Sequence, residues 1–155
     1  MRALLHSLVL LCLLVPAAAV RADQLRVENS WVRAGPPTAR VMAGYMTLYN
    51  SASHEREIVR VTSPAFARVE LHLSRIEDGM ARMIPQETLR IPAHGSLELT
   101  PGGYHLMLFD PVVPLQPGDQ VELSLHDAAG RVLDVRAPVR LPGGEDADPT
   151  HQHHD

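Results

Sequence analysis

Residues 69–83 read VELHLSRIEDGMARM, and the fold class turns on how this stretch is read. In an extended strand, successive side chains point to opposite faces. Val69, Leu71 and Leu73 then share an apolar face, and Glu70, His72 and Ser74 share the other. Asp78-Gly79 between two such runs is a strong signal for a two-residue hairpin turn. With these two as the central residues, Glu77 faces Met80 and Ser74 faces Met83. His72 becomes the same-face diagonal neighbour of Met83, about 7–8 Å away at the backbone.

Working outward, PGGYHLMLFD (101–110) repeats the pattern. Tyr104, Leu106 and Leu108 form a core face, while His105, Met107 and Phe109 form the opposite one. Both histidines thus project away from the aliphatic face of their strand, towards an exposed side. Similar short runs recur at 24–33, 41–49, 57–62, 67–74, 80–84, 87–91, 96–100, 104–109, 120–126 and 131–139. Turn-forming Pro, Gly, Asn and Asp separate them, as in GPP (35–37), NSAS (50–53), PAHG (92–95), QPGD (116–119) and DAAG (127–130). There is no convincing amphipathic helix. Regular short strands predict an all-β domain, a two-sheet sandwich with Greek-key connections.

The chain divides into 1–22, 23–141 and 142–155. Arg2 followed by the apolar run 3–15 is too short for a span, which needs about 20 residues. With the small residues that follow, it predicts a secretory signal peptide, cleaved after Ala19 or Ala22, and a periplasmic location. Lipidation at Cys12 is disfavoured because Leu11 precedes it. Cleavage removes the single cysteine, so a mature domain of about 120 residues holds itself together by its core alone. It also removes Arg2 and Arg21 but no acid: 14 basic against 18 acidic side chains become 12 against 18, a net near −6. Nucleic acid and anionic membrane are poor partners for that balance. The tail, PGGEDADPTHQHHD, has almost nothing apolar with which to fold and is expected to be disordered.

Four residues stand out as metal ligands: His72, Met83, His105 and Met107. Thioethers are soft donors that select Cu(I), and imidazole suits copper in either oxidation state. A blue-copper centre is excluded, since it needs a cysteine ligand and the mature chain has none. Met42 and Met46 read as core filler, and His54, His94 and His126 as surface residues near turns.

Ten residues separate His72 from Met83, 21 separate Met83 from His105, and one separates His105 from Met107. This spacing resembles the signature of the periplasmic copper(I) chaperone family known as PCuAC. VENSWVRAGPP, AGYMTLYN, VELH, RMIP, LRIPAHGSLELTPGGYHLMLFD and PLQPGDQVELSL match it too, so the resemblance covers about residues 25–140. It implies a cupredoxin-like β-sandwich that binds Cu(I) through two His and two Met at an exposed site. It also implies a metallochaperone, not an enzyme, that delivers copper towards the CuA centre of cytochrome c oxidase. The expected recipient is oxidase subunit II or another assembly chaperone, and the expected state is a monomer. Many members carry Met after the first His, where this chain has Leu73. Met80 in the turn competes with Met83 as a ligand, and spacing and register favour Met83. The tail residues His151, His153 and His154, with Asp155 and Asp148, offer a second site whose donors suit Cu(II). The alternatives are copper sequestration for tolerance and a metal-free interaction sandwich.

Overall fold

The structure, a computed structural model, describes residues 25–142. The expected signal segment and residues 143–155 of the tail lie outside the described residues. The elements are β1 (Leu25–Arg33), β2 (Val41–Asn50), β3 (Arg56–Thr62), β4 (Phe66–Glu77), β5 (Met80–Gln86), β6 (Leu89–Ile91), β7 (Ser96–Leu99), β8 (Tyr104–Pro111), β9 (Gln120–Asp127) and β10 (Val132–Arg140). Every expected strand is present, and there is no helix among the described residues. The main departure is that β4 and β5 are longer than expected, running in register to the Asp78-Gly79 turn. Both turn residues take positive φ, 52° and 76°, which a two-residue turn matched to strand twist requires.

Hydrogen bonds link the strands in the order β5-β4-β8-β7-β2-β1-β10-β9-β3-β6. The ladder passes from one layer of the sandwich to the other at β1 and β10, whose ends run parallel through Val32↔Val139 and Arg33↔Arg140. β2, β4 and β8 thus belong to one layer and β3, β6 and β9 to the other. Their inward side chains share one core that includes Met46, Leu48, Ile58, Leu71, Leu106, Leu108, Leu123 and Val139. Met42 belongs to it too, as expected. Burying each such Leu or Ile stabilises the fold by about 1.5–3 kcal/mol relative to exposure.

Two details of this layer position the residues of interest. β2 is shared lengthwise: Met46–Tyr49 pair with β7 and Val41–Gly44 pair with β8. The Pro101–Gly103 turn therefore sits in mid-sheet, next to His105. β5, at the layer's edge, carries Pro85. Ser74 donates its backbone N–H towards Gly103, away from β5. By alternation along the paired strands, Pro85, opposite His72, turns its nitrogen outward, where a missing N–H breaks no ladder bond.

Gly44 lets β2 and β8 approach. A Cβ there would stand 3.3 Å from the Leu106 Cβ and 3.4 Å from its Cδ1. A β-branched residue is ordinarily welcome in a central strand, but here it overpacks the core. Gly44→Val is expected to destabilise the domain by about 1–3 kcal/mol, read as a lower urea midpoint at unchanged m-value.

Candidate metal centre

The outer face of the β5-β4-β8-β2 layer carries the singled-out residues. The predicted hairpin register is observed, with Glu77↔Met80 and Ser74↔Met83. Across β4 and β8, His72 lies directly opposite His105 and Glu70 opposite Met107. The two imidazole centroids are 5.9 Å apart. The pleat therefore places His72, His105, Met107 and Met83 on one face. Met80 falls on the opposite face of the hairpin, with Arg75, Glu77 and Arg82, because it is an odd number of residues from Met83.

The two histidines are turned from the aliphatic core but are not exposed, contrary to the expectation from sequence. His72 and His105 retain only 7% and 5% of their accessible surface. Around His105, parts of the chain distant in sequence come together. Tyr45 on β2, itself buried, stacks on Trp31 with centroids 4.7 Å apart. Residues 33–36 and the Pro101–Gly102 turn close in from two sides. Together with Tyr45, Met83, His105 and Met107 they line one concavity. His72, beside His105 on the neighbouring strand, does not line it. Met83, at 62% exposure, is the most exposed of the group, and Met107 is half-buried.

Hydrogen bonds fix both rings. The Gly103 carbonyl can only accept, so His105 donates to it from Nδ1, at 3.0 Å. The same carbonyl accepts the Ser74 N–H, at 3.0 Å. His72 Nε2 lies 2.9 Å from Glu70 Oε2, and Arg68 Nε donates to Glu70 Oε1 at 2.6 Å. Arg68 rests over the Phe109 ring, 4.1 Å from its centroid. The hydrogen bond from His72 holds the Glu70 carboxyl below its usual range; desolvation opposes this, and Arg68 adds to it. With Arg68 donating to its other oxygen, Glu70 offers Oε2 as the acceptor, and Nε2 of His72 is the donor. His72 Nδ1 is buried and has no hydrogen-bond partner, a condition native proteins rarely leave unexplained.

Among the described residues, no three His, Cys, Asp or Glu side chains are grouped so as to hold a metal ion. What the face offers instead is two imidazoles and two thioethers, a soft set. His54 and His94 are exposed as expected. His126 instead sits within β9, half-buried, with its Nε2 3.1 Å from Thr62 Oγ1. The tail residues His151, His153 and His154 lie outside the described residues. Glu70 and Tyr45 were missed from sequence. Glu70 shares the His72 face two residues away, which was a usable signal, whereas nothing local marks Tyr45.

Three comparisons bear on this face. The family described as "Putative lipoprotein LpqE-like" matches residues 25–139. "Putative lipoprotein Lxx21020" from Leifsonia xyli subsp. xyli (strain CTCB07) is 31% identical over 121 residues, 77% of this chain and 72% of that protein. Among solved structures, CuI-DR1885 from Deinococcus radiodurans superposes with a TM-score of 0.61 at 32% identity, covering 79% of this chain and 83% of that one. The copper-bound PCuAC domain from PmoF2 superposes with a TM-score of 0.65 at 23% identity, covering 76% and 93%, and shows that the fold is that of a PCuAC domain.

Proposed function

This chain belongs to the LpqE-like family, and on that premise we propose that it is a copper chaperone. Its ligands are His72, Met83, His105 and Met107, and its cargo is Cu(I). The observation that carries the reading is the convergence of two imidazoles and two thioethers on one face, with one buried imidazole nitrogen lacking any partner. The Cu(I)-bound relative at 32% identity supports it. Met83 is taken over Met80 because Met80 stands on the other face of the hairpin.

The chain captures Cu(I) outside the cytoplasm and passes it on by ligand exchange. The expected signal segment and the lipoprotein names of its relatives support that location. Incoming ligands enter the copper sphere at the exposed Met83 side before the buried imidazoles let go. Cu(I) tolerates changes in ligand number, so mixed intermediates are accessible. The proposed recipient is the CuA centre of cytochrome c oxidase, reached directly through subunit II or through another assembly chaperone. The tail histidines form a separate Cu(II) site.

The test is an anaerobic Cu(I) titration of the full chain against a colorimetric chelator, beside a variant with His151, His153 and His154 all replaced by Ala. One tight equivalent retained in the variant is the expected result. No tight binding once the tail histidines are gone sinks the proposal. Copper appearing on the apo soluble domain of oxidase subunit II after mixing supports delivery. Copper sensitivity without oxidase loss, in cells lacking the gene, would favour sequestration.

A further inference from the structure

We infer that Glu70 is a positioning residue that makes the two histidines bind copper through different ring nitrogens, His72 through Nδ1 and His105 through Nε2. The inference rests on the copper reading above. It starts from the hydrogen-bond inventory of a neutral imidazole, which has one N–H donor and one lone-pair nitrogen. Whatever accepts the proton decides which nitrogen is left for a metal.

For His105 the acceptor is the Gly103 carbonyl at Nδ1, 3.0 Å away. That carbonyl is held in place by Ser74 N–H from the neighbouring strand. His105 therefore presents Nε2. For His72 the acceptor is the Glu70 carboxylate, at the other nitrogen, Nε2, 2.9 Å away. Glu70 is not free to swing, because its second oxygen takes the Arg68 Nε–H at 2.6 Å, and Arg68 is packed on Phe109. The lone pair of His72 is thereby left on Nδ1, the buried nitrogen without a partner. A buried lone pair kept from water and from every donor is costly unless something else occupies it. A carboxylate behind a metal-binding imidazole also raises the basicity of the ligand.

Chain geometry explains why the two rings need different partners. They face each other directly across β4 and β8. In a strand, residue i−2 lies on the same face. For His72 that residue is Glu70, with a side chain long enough to return to the ring. For His105 it is Gly103, which has no side chain, so its backbone carbonyl serves.

The test reads the histidine nitrogens by 15N NMR, in the apo chain and with Cu(I), in full-length protein carrying Ala at His151, His153 and His154. Apo His72 is expected to hold its proton on Nε2. Cu(I) is expected to shift its Nδ1 signal while Nε2 keeps its proton, and to shift Nε2 of His105. E70A is expected to lose the single His72 tautomer and weaken Cu(I) binding about 10–100-fold. E70Q, which keeps an acceptor oxygen within reach, is expected to fall between. A purely structural Glu70 would lower the urea midpoint in E70A and leave tautomer and affinity alone, which overturns the inference. Cu(I) bound to His72 through Nε2, with E70A binding more tightly because a competitor is gone, overturns it as well. Those outcomes leave the copper reading standing. No copper-induced shift at either histidine in the parent chain sinks both.

Discussion

Replacing Met83 and Met107 together by Leu is expected to lower Cu(I) affinity by at least about a hundredfold, above the 10–100-fold carried by a ligand's supporting partner. The fold should persist. Leu keeps apolar volume, and volume-conserving swaps of this kind cost less than about 1.5 kcal/mol. Met83 is mostly exposed, where substitutions stay within about 0.5 kcal/mol. What the double variant loses is sulfur, the soft donor that distinguishes this set from a hard-ion site. The built-in control is Met80→Leu. Met80 is about as exposed as Met83, 58% against 62%, and sits three residues away, but on the other face of the hairpin. It should leave affinity unchanged in the same chelator competition. A drop at Met80 with none at Met83 would overturn the ligand set.

The second large effect lies away from copper. Asp127, at the end of β9, is buried and satisfied on both oxygens. Oδ1 accepts the backbone N–H groups of Ala129 and Arg131, at 3.0 and 2.8 Å. Oδ2 accepts from the Arg131 Nε and from the guanidinium of Arg56, itself buried at the start of β3. One carboxylate thus closes the β9–β10 turn and ties it to β3. Asp127→Ala is expected to cost about 3–5 kcal/mol, because removing one partner of a buried ion pair strands the other. That is a large share of the roughly 5–15 kcal/mol a domain has. Burial pushes this carboxyl up, but the backbone and side-chain donors of Arg131 and the Arg56 guanidinium outweigh it and bring it below its ordinary 3.8. A carboxyl depressed by folding contributes stability above its unfolded pKa and loses it as pH falls through the folded one. Urea midpoints should therefore fall on acidification below about pH 4, and that acid limb should flatten in the variant. A change under 1 kcal/mol would show the cluster to be ornamental.

Both effects also mark where the sequence was legible. The β4–β5 register could be read residue by residue because period-two alternation and Asp78-Gly79 are local signals. The same holds for Met42 and Met46, whose alternation in β2 sends them inward. The burial of His72 and His105 could not be read. Tyr45, residues 33–36 and the Pro101–Gly102 turn gather around His105 only once β2 is split between β7 and β8. The Arg56–Asp127 pair escaped for the same reason: its members stand 71 positions apart, and each alone looks like a surface charge. Glu70 lay between these cases, in plain view on the right face but without a partner until the ring orientation was known.

The outward-turned nitrogen of Pro85 has a consequence for the lifetime of encounters. An open sheet edge invites another chain to add a strand, with a row of backbone bonds that holds it there. Here the edge beside the proposed copper ligands is interrupted at Pro85, and the opposite edge, β6, is three residues long. A strand added along β5 meets a missing donor at Pro85, and one added along β6 finds only three residues to pair with. A carrier gains from that: the meeting lasts long enough for an ion to change hands and then ends, freeing the protein for its next load.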